Sequence, residues 1–161
     1  MAFETGKEVV IKIALAKEPL QKLLQEIGKI NSSKTTIQLF DPGRVINRMH
    51  LVASYVNAVE AFKNKSNISR NLYMEMLLFA AMTSQINEAI EMVGAKSSKE
   101  FIVFANDSAS YKKIIGSINP IRDFKPSKKE EIVVAKLFGI KSKEDLDQFM
   151  LQKIAISRLG D

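Results

Sequence analysis

Residues 72–105 read LYMEMLLFAAMTSQINEAIEMVGAKSSKEFIVFA and predict three elements in a row. The first eleven residues are apolar on all sides apart from Glu75, which is typical of a helix that is buried over most of its surface. A polar break follows, and the next residues predict a second, short helix that Gly94 closes. The final FIVFA run is typical of a buried strand. This stretch therefore predicts two helices leading into a sheet.

The segments on either side extend the same mixture of elements. Alternation of apolar and β-branched residues predicts strands over residues 9–16 and 35–40. Apolar residues recurring at three and four positions predict helices elsewhere. We expect an α/β fold, a single compact domain over residues 1–161 with a small mixed or antiparallel sheet of three to four strands packed with about six helices. The expected helices cover residues 19–27, 45–62, 72–82, 85–93, 127–139 and 142–156; residues 107–115 are a further candidate, and residues 120–126 are expected to be a loop.

The composition excludes several kinds of site and places the chain in a broad class. The 161 residues include no cysteine, which excludes disulfides, zinc–thiolate sites and thiol nucleophiles. The longest apolar run is seven residues, Met76 to Met82, far short of the ~20 that span a bilayer. The first residues show no basic stretch leading into an apolar one, as a signal peptide would. We expect a cytoplasmic protein.

The net charge of +6 is spread unevenly along the chain. Residues 43–72 carry five Lys/Arg against one carboxylate, and residues 110–129 carry six against one. Residues 73–107, between these basic blocks, carry two Lys/Arg against five carboxylates. Basic blocks that meet on one face attract polyanions such as RNA, although a solvated lysine-rich surface is the simpler interpretation.

The chain offers no recognisable catalytic centre. His50 is the only histidine, so no second histidine or cysteine can join it at a metal. No phosphate-binding glycine loop and no nucleophile elbow is present. The adjacent carboxylates Glu130–Glu131 and Glu144–Asp145 lie in first turns of helices, where the helix dipole favours negative charge. We therefore predict no catalytic residue, no metal site and no cofactor.

Glu75 is unusual because it is a lone carboxylate in an apolar helix. Burying such a charge is costly unless it is paired with a cation or hydrogen-bonded. The simpler expectation is a salt bridge to a Lys or Arg or a hydrogen bond to backbone. The alternative is that Glu75 organises a neighbouring binding site.

The order of features after Glu75 resembles a known family. A glutamate opens an apolar helix, a polar break follows at residues 83–85, an Ile-Asn-Glu-Ala-Ile helix begins at residue 86, Gly94 ends it, and the strand at residues 101–105 comes next. This order is similar to that of the kinase-binding regulatory subunit of the KEOPS complex, which in human is the binding protein of the p53-related protein kinase. The resemblance covers most of the chain, and its specific part is Glu75 to Gly94 with the strand that follows.

The resemblance implies a function in tRNA modification. Members of this family are not enzymes. They bind the small atypical kinase-ATPase of KEOPS, which makes threonylcarbamoyl-adenosine in tRNA, and archaeal members also grip tRNA, including its 3′ CCA end. The implied partners are therefore that kinase-ATPase subunit and tRNA, with no membrane and no small-molecule substrate.

Two surfaces of the chain are candidates for these partners. The basic loop before the apolar helix and the start of the helix after it are candidates for RNA, because cations and free helix N–H groups bind phosphates. The last helix is apolar on more than one face, so it is either buried on two sides or partly covered by a kinase. The predicted tRNA-binding residues are Lys63, Lys65, Arg70, Ser84 and Gln85; the predicted kinase-binding residues are Leu146, Phe149, Met150 and Ile154.

Two other functions remain open from the sequence alone. One is a small RNA-modifying or RNA-cleaving enzyme that uses Lys and Glu, which turnover of tRNA by the isolated chain would reveal. The other is a self-associating structural domain, which a mass measurement with and without the kinase would reveal.

Overall fold

The computed structural model describes residues 2–3, 7–141 and 144–158. In these residues there are six strands and seven α-helices, which confirms the α/β class. The predicted start of the last helix at Ser142 lies outside the described residues. The strands are β1 (Ala2–Phe3), β2 (Lys7–Glu8), β3 (Val10–Ala16), β4 (Ile37–Phe40), β5 (Phe101–Ala105) and β6 (Ile118–Asp123); the helices are α1 (Leu20–Ile30), α2 (Arg48–Lys63), α3 (Leu72–Ala81), α4 (Ile86–Val93), α5 (Ser108–Lys112), α6 (Lys128–Lys136) and α7 (Leu146–Ile156).

The described residues group into two compact units. The first contains residues up to 42 together with residues 95–124, and the second contains residues 43–94 together with the residues from 125 onward. The first unit therefore holds all the strands with α1 and α5. The second holds only helices: α2, α3, α4, α6 and α7.

The first unit is built on a four-stranded antiparallel sheet with the order β4-β5-β3-β6. This result confirms the small antiparallel sheet and narrows the expected three to four strands to four. β1 and β2 pair with each other in a separate antiparallel ribbon. Helix α1 buries Leu23 and Ile27 in a core that also contains residues of β3, β4, β5, α5 and the start of β6. The buried members of this core are Ala14, Leu23, Ile27, Ile37, Leu39, Phe101, Val103, Ala105, Tyr111, Ile114 and Ile118.

The expected loop at residues 120–126 is wrong, because its first part is strand β6. Only Ile118 of this strand is buried and its other five residues are exposed. Pro120 fits there because an edge strand leaves one row of N–H groups unpaired, so a residue without an N–H costs little. The pairing of β6 with β3 also shifts register between Ile13 and Ala14.

The second unit is a group of helices in which α3 is the most buried. Every residue of α3 from Glu75 to Ala81 is buried. Helix α3 packs against α2, α4 and α7, and α6 packs against α7. Side-chain caps begin two of these helices: Asn47 accepts from the N–H of His50 at 3.0 Å at the start of α2, and Ser127 with Glu130 forms a capping box at the start of α6.

Gly94 ends α4, as expected, but not in the left-handed conformation. Its φ is −67° and its ψ is 152°. A Cβ at this position would stand 2.6 Å from the carbonyl oxygen of Ile90. A glycine is needed here because of this close approach to the backbone.

Candidate functional site

Glu75 lies in the first turn of α3, and its side chain is completely buried. Its Oε1 accepts from the N–H of Ser69 at 2.8 Å and from the N–H of Ile68 at 3.1 Å, and Oε2 is 3.2 Å from the latter nitrogen. Oε2 also accepts from Nη1 of Arg158 at 2.9 Å. The expectation that Glu75 is paired or bonded to backbone is confirmed, since both arrangements are present at once.

Arg158 follows the end of α7 and supplies the cation that the buried carboxylate needs. Its side chain is 14% exposed. The guanidinium carbon lies 4.2 Å from the centroid of the Phe79 ring, a cation–π geometry. Glu75 and Phe79 are one turn apart on α3, so Arg158 contacts the same face of that helix twice.

The basic loop, residues 64–71, connects α2 to α3 and carries two cations that face solvent. Lys65 and Arg70 are both exposed, and within the described residues their side chains have no ion-pair partner. Lys63 differs, because its Nζ lies 3.8 Å from a carboxylate oxygen of Glu60. The structure therefore leaves the charges of Lys65 and Arg70 available to an anion.

Lys65 adopts a conformation that lysine rarely takes. Its φ is 56° at the C-terminal end of α2. The N–H of Ser66 bonds to the carbonyl of Ala61 at 2.8 Å, and that of Lys65 bonds to Phe62 at 3.3 Å. This is the Schellman pattern of helix ends, where glycine is the usual residue at the position that Lys65 occupies. A charged residue at a strained position is a hint of function.

Ser84 and Gln85 lie at the other end of α3 from the basic loop. Helix α3 has ten residues and is therefore about 15 Å long. The N–H of Gln85 bonds to Oγ1 of Thr83 at 3.2 Å, so it is already occupied. Glu88 lies in the first turn of α4 and opposes an anion there. The five predicted RNA residues thus fall into two groups, a basic one and a neutral one, separated by the length of a helix.

The last helix divides its predicted kinase residues between the core and the surface. Met150 and Ile154 are completely buried, while Phe149 is 48% exposed and Leu146 is half-buried. Burial assigns Met150 and Ile154 to the packing of the second unit, so neither side chain is exposed to a partner. The large apolar residues of α7 that are exposed are Phe149, Leu151 and Ile156.

A groove of about 380 Å³ runs beside the exposed face of α7. Apolar side chains of Phe149, Ile156 and Ile140 line it together with two lysines, Lys141 and Lys153. An apolar groove with basic residues fits an apolar side chain of a partner that is flanked by carboxylates.

His50 has a structural role in the second unit. Its ring is fully buried, with Nδ1 accepting from the N–H of Ile46 at 3.0 Å and Nε2 donating to the carbonyl of Ala80 at 2.8 Å. Burial disfavours the charged imidazolium and lowers the pKa of His50 to about 4. The neutral ring therefore connects α2 to the end of α3 by a hydrogen bond.

Comparison with known proteins decides the family. A sequence model of the family described as kinase binding protein CGI-121 matches residues 12–159 of the chain. The chain belongs to the CGI-121 family. The protein named regulatory protein Cgi121 of Methanocaldococcus jannaschii is 26% identical to it over 125 residues, which are 76% of this chain and 83% of that relative. These comparisons confirm the family that the segment from Glu75 to Gly94 predicted.

The CGI-121 match begins within β3 and extends beyond α7, so it includes residues of both compact units. It also includes Glu75, the basic loop and Arg158. Nothing in the sequence identified Arg158 as the partner of Glu75, because 83 positions separate the two residues. The only available signal was the expectation that a buried carboxylate is paired with a cation or hydrogen-bonded.

No group of three or more His, Asp or Glu side chains among residues 7–141 and 144–158 is placed to hold a metal ion. None of the helices described above is long and apolar enough to cross a membrane.

Proposed function

We propose that this chain is a non-catalytic subunit of the KEOPS complex, in which it binds the small atypical kinase-ATPase subunit and recruits tRNA through its 3′ CCA end. The observation that carries the proposal is the match to a kinase-binding family over residues 12–159. The KEOPS complex and tRNA come from the family resemblance of the segment from Glu75 to Gly94. We further propose that residues 1–161 act as one domain, since the family match includes parts of both compact units, and that the protein acts in the cytoplasm.

The kinase surface in this proposal is the exposed face of α7 with its groove. Phe149 and Ile156 are 48% and 56% exposed, an unusual pair of large apolar side chains on one short helix. Val133 of α6 and Leu137, which follows the last residue of α6, are also exposed. Large exposed apolar residues of this kind are typical of a surface that another protein covers.

A co-purification experiment with the kinase-ATPase tests this surface. Phe149→Glu places a charge where the partner packs, so the kinase should no longer be retained while the far-ultraviolet circular dichroism stays native. Ile121→Glu is a matched control, because Ile121 is equally exposed at 48% but lies on β6 in the other unit. Retention of the kinase by Phe149→Glu would refute the surface.

The RNA surface in this proposal begins at the basic loop and follows α3. Lys65 and Arg70 would hold phosphates at one end of the helix, and Ser84 with Gln85 would contact the strand at the other end. The helix length of about 15 Å corresponds to about four stacked nucleotides at about 3.4 Å each. A short single-stranded end fits this length, and the partly exposed rings of Phe62 and Tyr73 are candidates for base stacking.

The salt dependence of tRNA binding tests the RNA surface. Three phosphate contacts from Lys63, Lys65 and Arg70 predict a slope of log K against log salt of roughly −2. Lys65→Glu and Arg70→Glu should each weaken binding and make the slope less steep, whereas Lys22→Glu on the exposed side of α1 should change neither parameter much. Unchanged affinity and slope in both loop variants would refute the site.

A further inference from the structure

Arg158 is a buried cation that neither proposed surface uses directly. Its guanidinium is mostly covered, stacks on Phe79 and donates to Glu75. These contacts leave it poorly placed to bind RNA phosphate itself. Its location at the end of α7 nevertheless brings it to the carboxylate that holds the basic loop.

One carboxylate joins Arg158 to the basic loop. Glu75 receives Arg158 on Oε2 and the N–H groups of Ile68 and Ser69 mainly on Oε1. The bonded loop residues directly precede Arg70, the exposed cation at the end of the loop. These two bonds attach the backbone of Ile68 and Ser69 to the Glu75 side chain of α3, and within the loop Asn67 Nδ2 donates to the Ser69 carbonyl at 2.9 Å.

Removal of Arg158 would leave Glu75 as a buried charge without its cation. Breaking a buried ion pair by deleting one partner is strongly unfavourable, because the remaining charge stays desolvated. The carboxylate gains by turning toward water. That movement would release the N–H groups of Ile68 and Ser69, and this part of the loop would lose its attachment to α3, while the bonds of Lys65 and Ser66 to α2 remain.

We propose that Arg158 is a positioning residue for the RNA site: acting through Glu75, it holds the backbone of Ile68–Ser69 so that Lys65 and Arg70 contact phosphates together. This inference rests on the RNA part of the proposed function. It links the C-terminal part of the second unit to the basic loop through Glu75, which lies 83 positions before Arg158 in the chain. Arg158 should therefore matter for RNA affinity without touching RNA.

Two readouts on Arg158→Gln test the inference. Hydrogen exchange at the amides of Ile68 and Ser69 should become at least about tenfold faster, while amides in the middle of α3, such as that of Leu78, keep their slow exchange. The affinity for tRNA should fall about fourfold at 0.15 M salt, and the slope should decrease by about 0.7, which corresponds to one lost phosphate contact. A purely structural role would lower the melting temperature without changing the slope.

Two further variants complete the design. Arg158→Lys keeps the cation and loses the planar stacking on Phe79, so it should give intermediate exchange and affinity. If Arg158→Gln does not fold, the amide exchange and the tRNA affinity and slope of Arg158→Lys test the positioning role instead. Lys22→Gln is the matched control for the loss of one positive charge, since Lys22 is 72% exposed on α1.

The outcomes separate this inference from the proposed function. If Lys65→Glu and Arg70→Glu weaken tRNA binding but the Arg158 variants leave the slope and the two amides unchanged, the positioning role is refuted and the RNA site stands. If the two loop variants leave binding unchanged, the RNA site is refuted and the role of Arg158 with it.

Discussion

Replacing Lys65 with glycine should stabilise the fold and weaken RNA binding at the same time. Lys65 has φ of 56°, a left-handed conformation that costs an L-residue about 1–2 kcal/mol. Glycine avoids that cost but loses about 0.5–1 kcal/mol through the greater freedom of the unfolded chain. The balance is a net gain of about 0.5–1 kcal/mol, or about 1–4 °C in melting temperature for a chain of this size.

Although Lys65→Gly should raise the stability, it should lower the affinity for RNA. One lost phosphate contact lowers the slope of log K against log salt by about 0.7. At 0.15 M salt the same contact is worth about 0.6 in log K, so the affinity for tRNA should fall about fourfold. A substitution that stabilises the protein while it weakens binding would show that Lys65 is retained for its charge.

Thermal and urea denaturation give the stability, and anisotropy of a fluorescent tRNA from 0.05 to 0.3 M salt gives the affinity and slope. Lys65→Arg keeps both the strain and the charge, so it should change neither property. Lys65→Asn tolerates the left-handed conformation and lacks the charge, so it should bind as weakly as the glycine variant. A lower melting temperature for Lys65→Gly would refute the strain argument, and unchanged affinity would refute the RNA contact.

Three further predictions concern stability. Burial lowers the pKa of His50 to about 4, whereas an unperturbed histidine in the unfolded chain has a pKa of about 6.5. The unfolded chain therefore binds the proton more readily between pH 6.5 and 4, so the stability is fully present above pH 6.5 and falls by about 3 kcal/mol toward pH 4. Urea denaturation across this range should show a smaller loss of stability in His50→Gln. Gly94→Ala forces a Cβ against a carbonyl oxygen and should lower the stability by about 1–3 kcal/mol in urea denaturation. Gly116→Ala, with no atom within 4 Å of the added Cβ, should be nearly neutral. Equal effects of the two substitutions would contradict the explanation by close approach to the backbone. Met150→Ala should cost about 2–5 kcal/mol because it opens a cavity, whereas Phe149→Ala next to it should cost much less; a large loss for Phe149→Ala would place that ring in the core.

Elements with a strong local pattern were predictable from the sequence. The apolar run that became α3, the alternation that became β3 and the Ser127–Glu130 capping box each depend on residues within a few positions of one another. Helix and strand assignments of this kind need no knowledge of contacts between distant segments. Strand β6 lacked such a pattern, because five of its six residues are exposed and one is Pro120.

For the candidate site, the sequence predicted only which charged residues are present and not how they are arranged. The sequence indicated that the region around Lys65 and Arg70 is basic and that Glu75 needs a partner. It did not indicate that Arg158 is that partner, nor that Glu75 holds the loop, since both facts depend on contacts between distant segments. The pattern of α7 likewise showed apolar residues all round, but only packing against α2 and α3 distinguishes buried Met150 from exposed Phe149.

In the proposed function, this CGI-121 chain binds a tRNA end and a kinase and performs no chemistry itself. The most direct test compares the binding of intact tRNA and tRNA without its 3′ CCA end, with turnover of the tRNA followed in the same samples. We predict that removal of the CCA end weakens binding at least about tenfold, the effect of two lost phosphate contacts at 0.15 M salt, and that neither tRNA is altered. Equal affinity for the two tRNAs, or cleavage or modification of tRNA by the isolated chain, would contradict the proposed function.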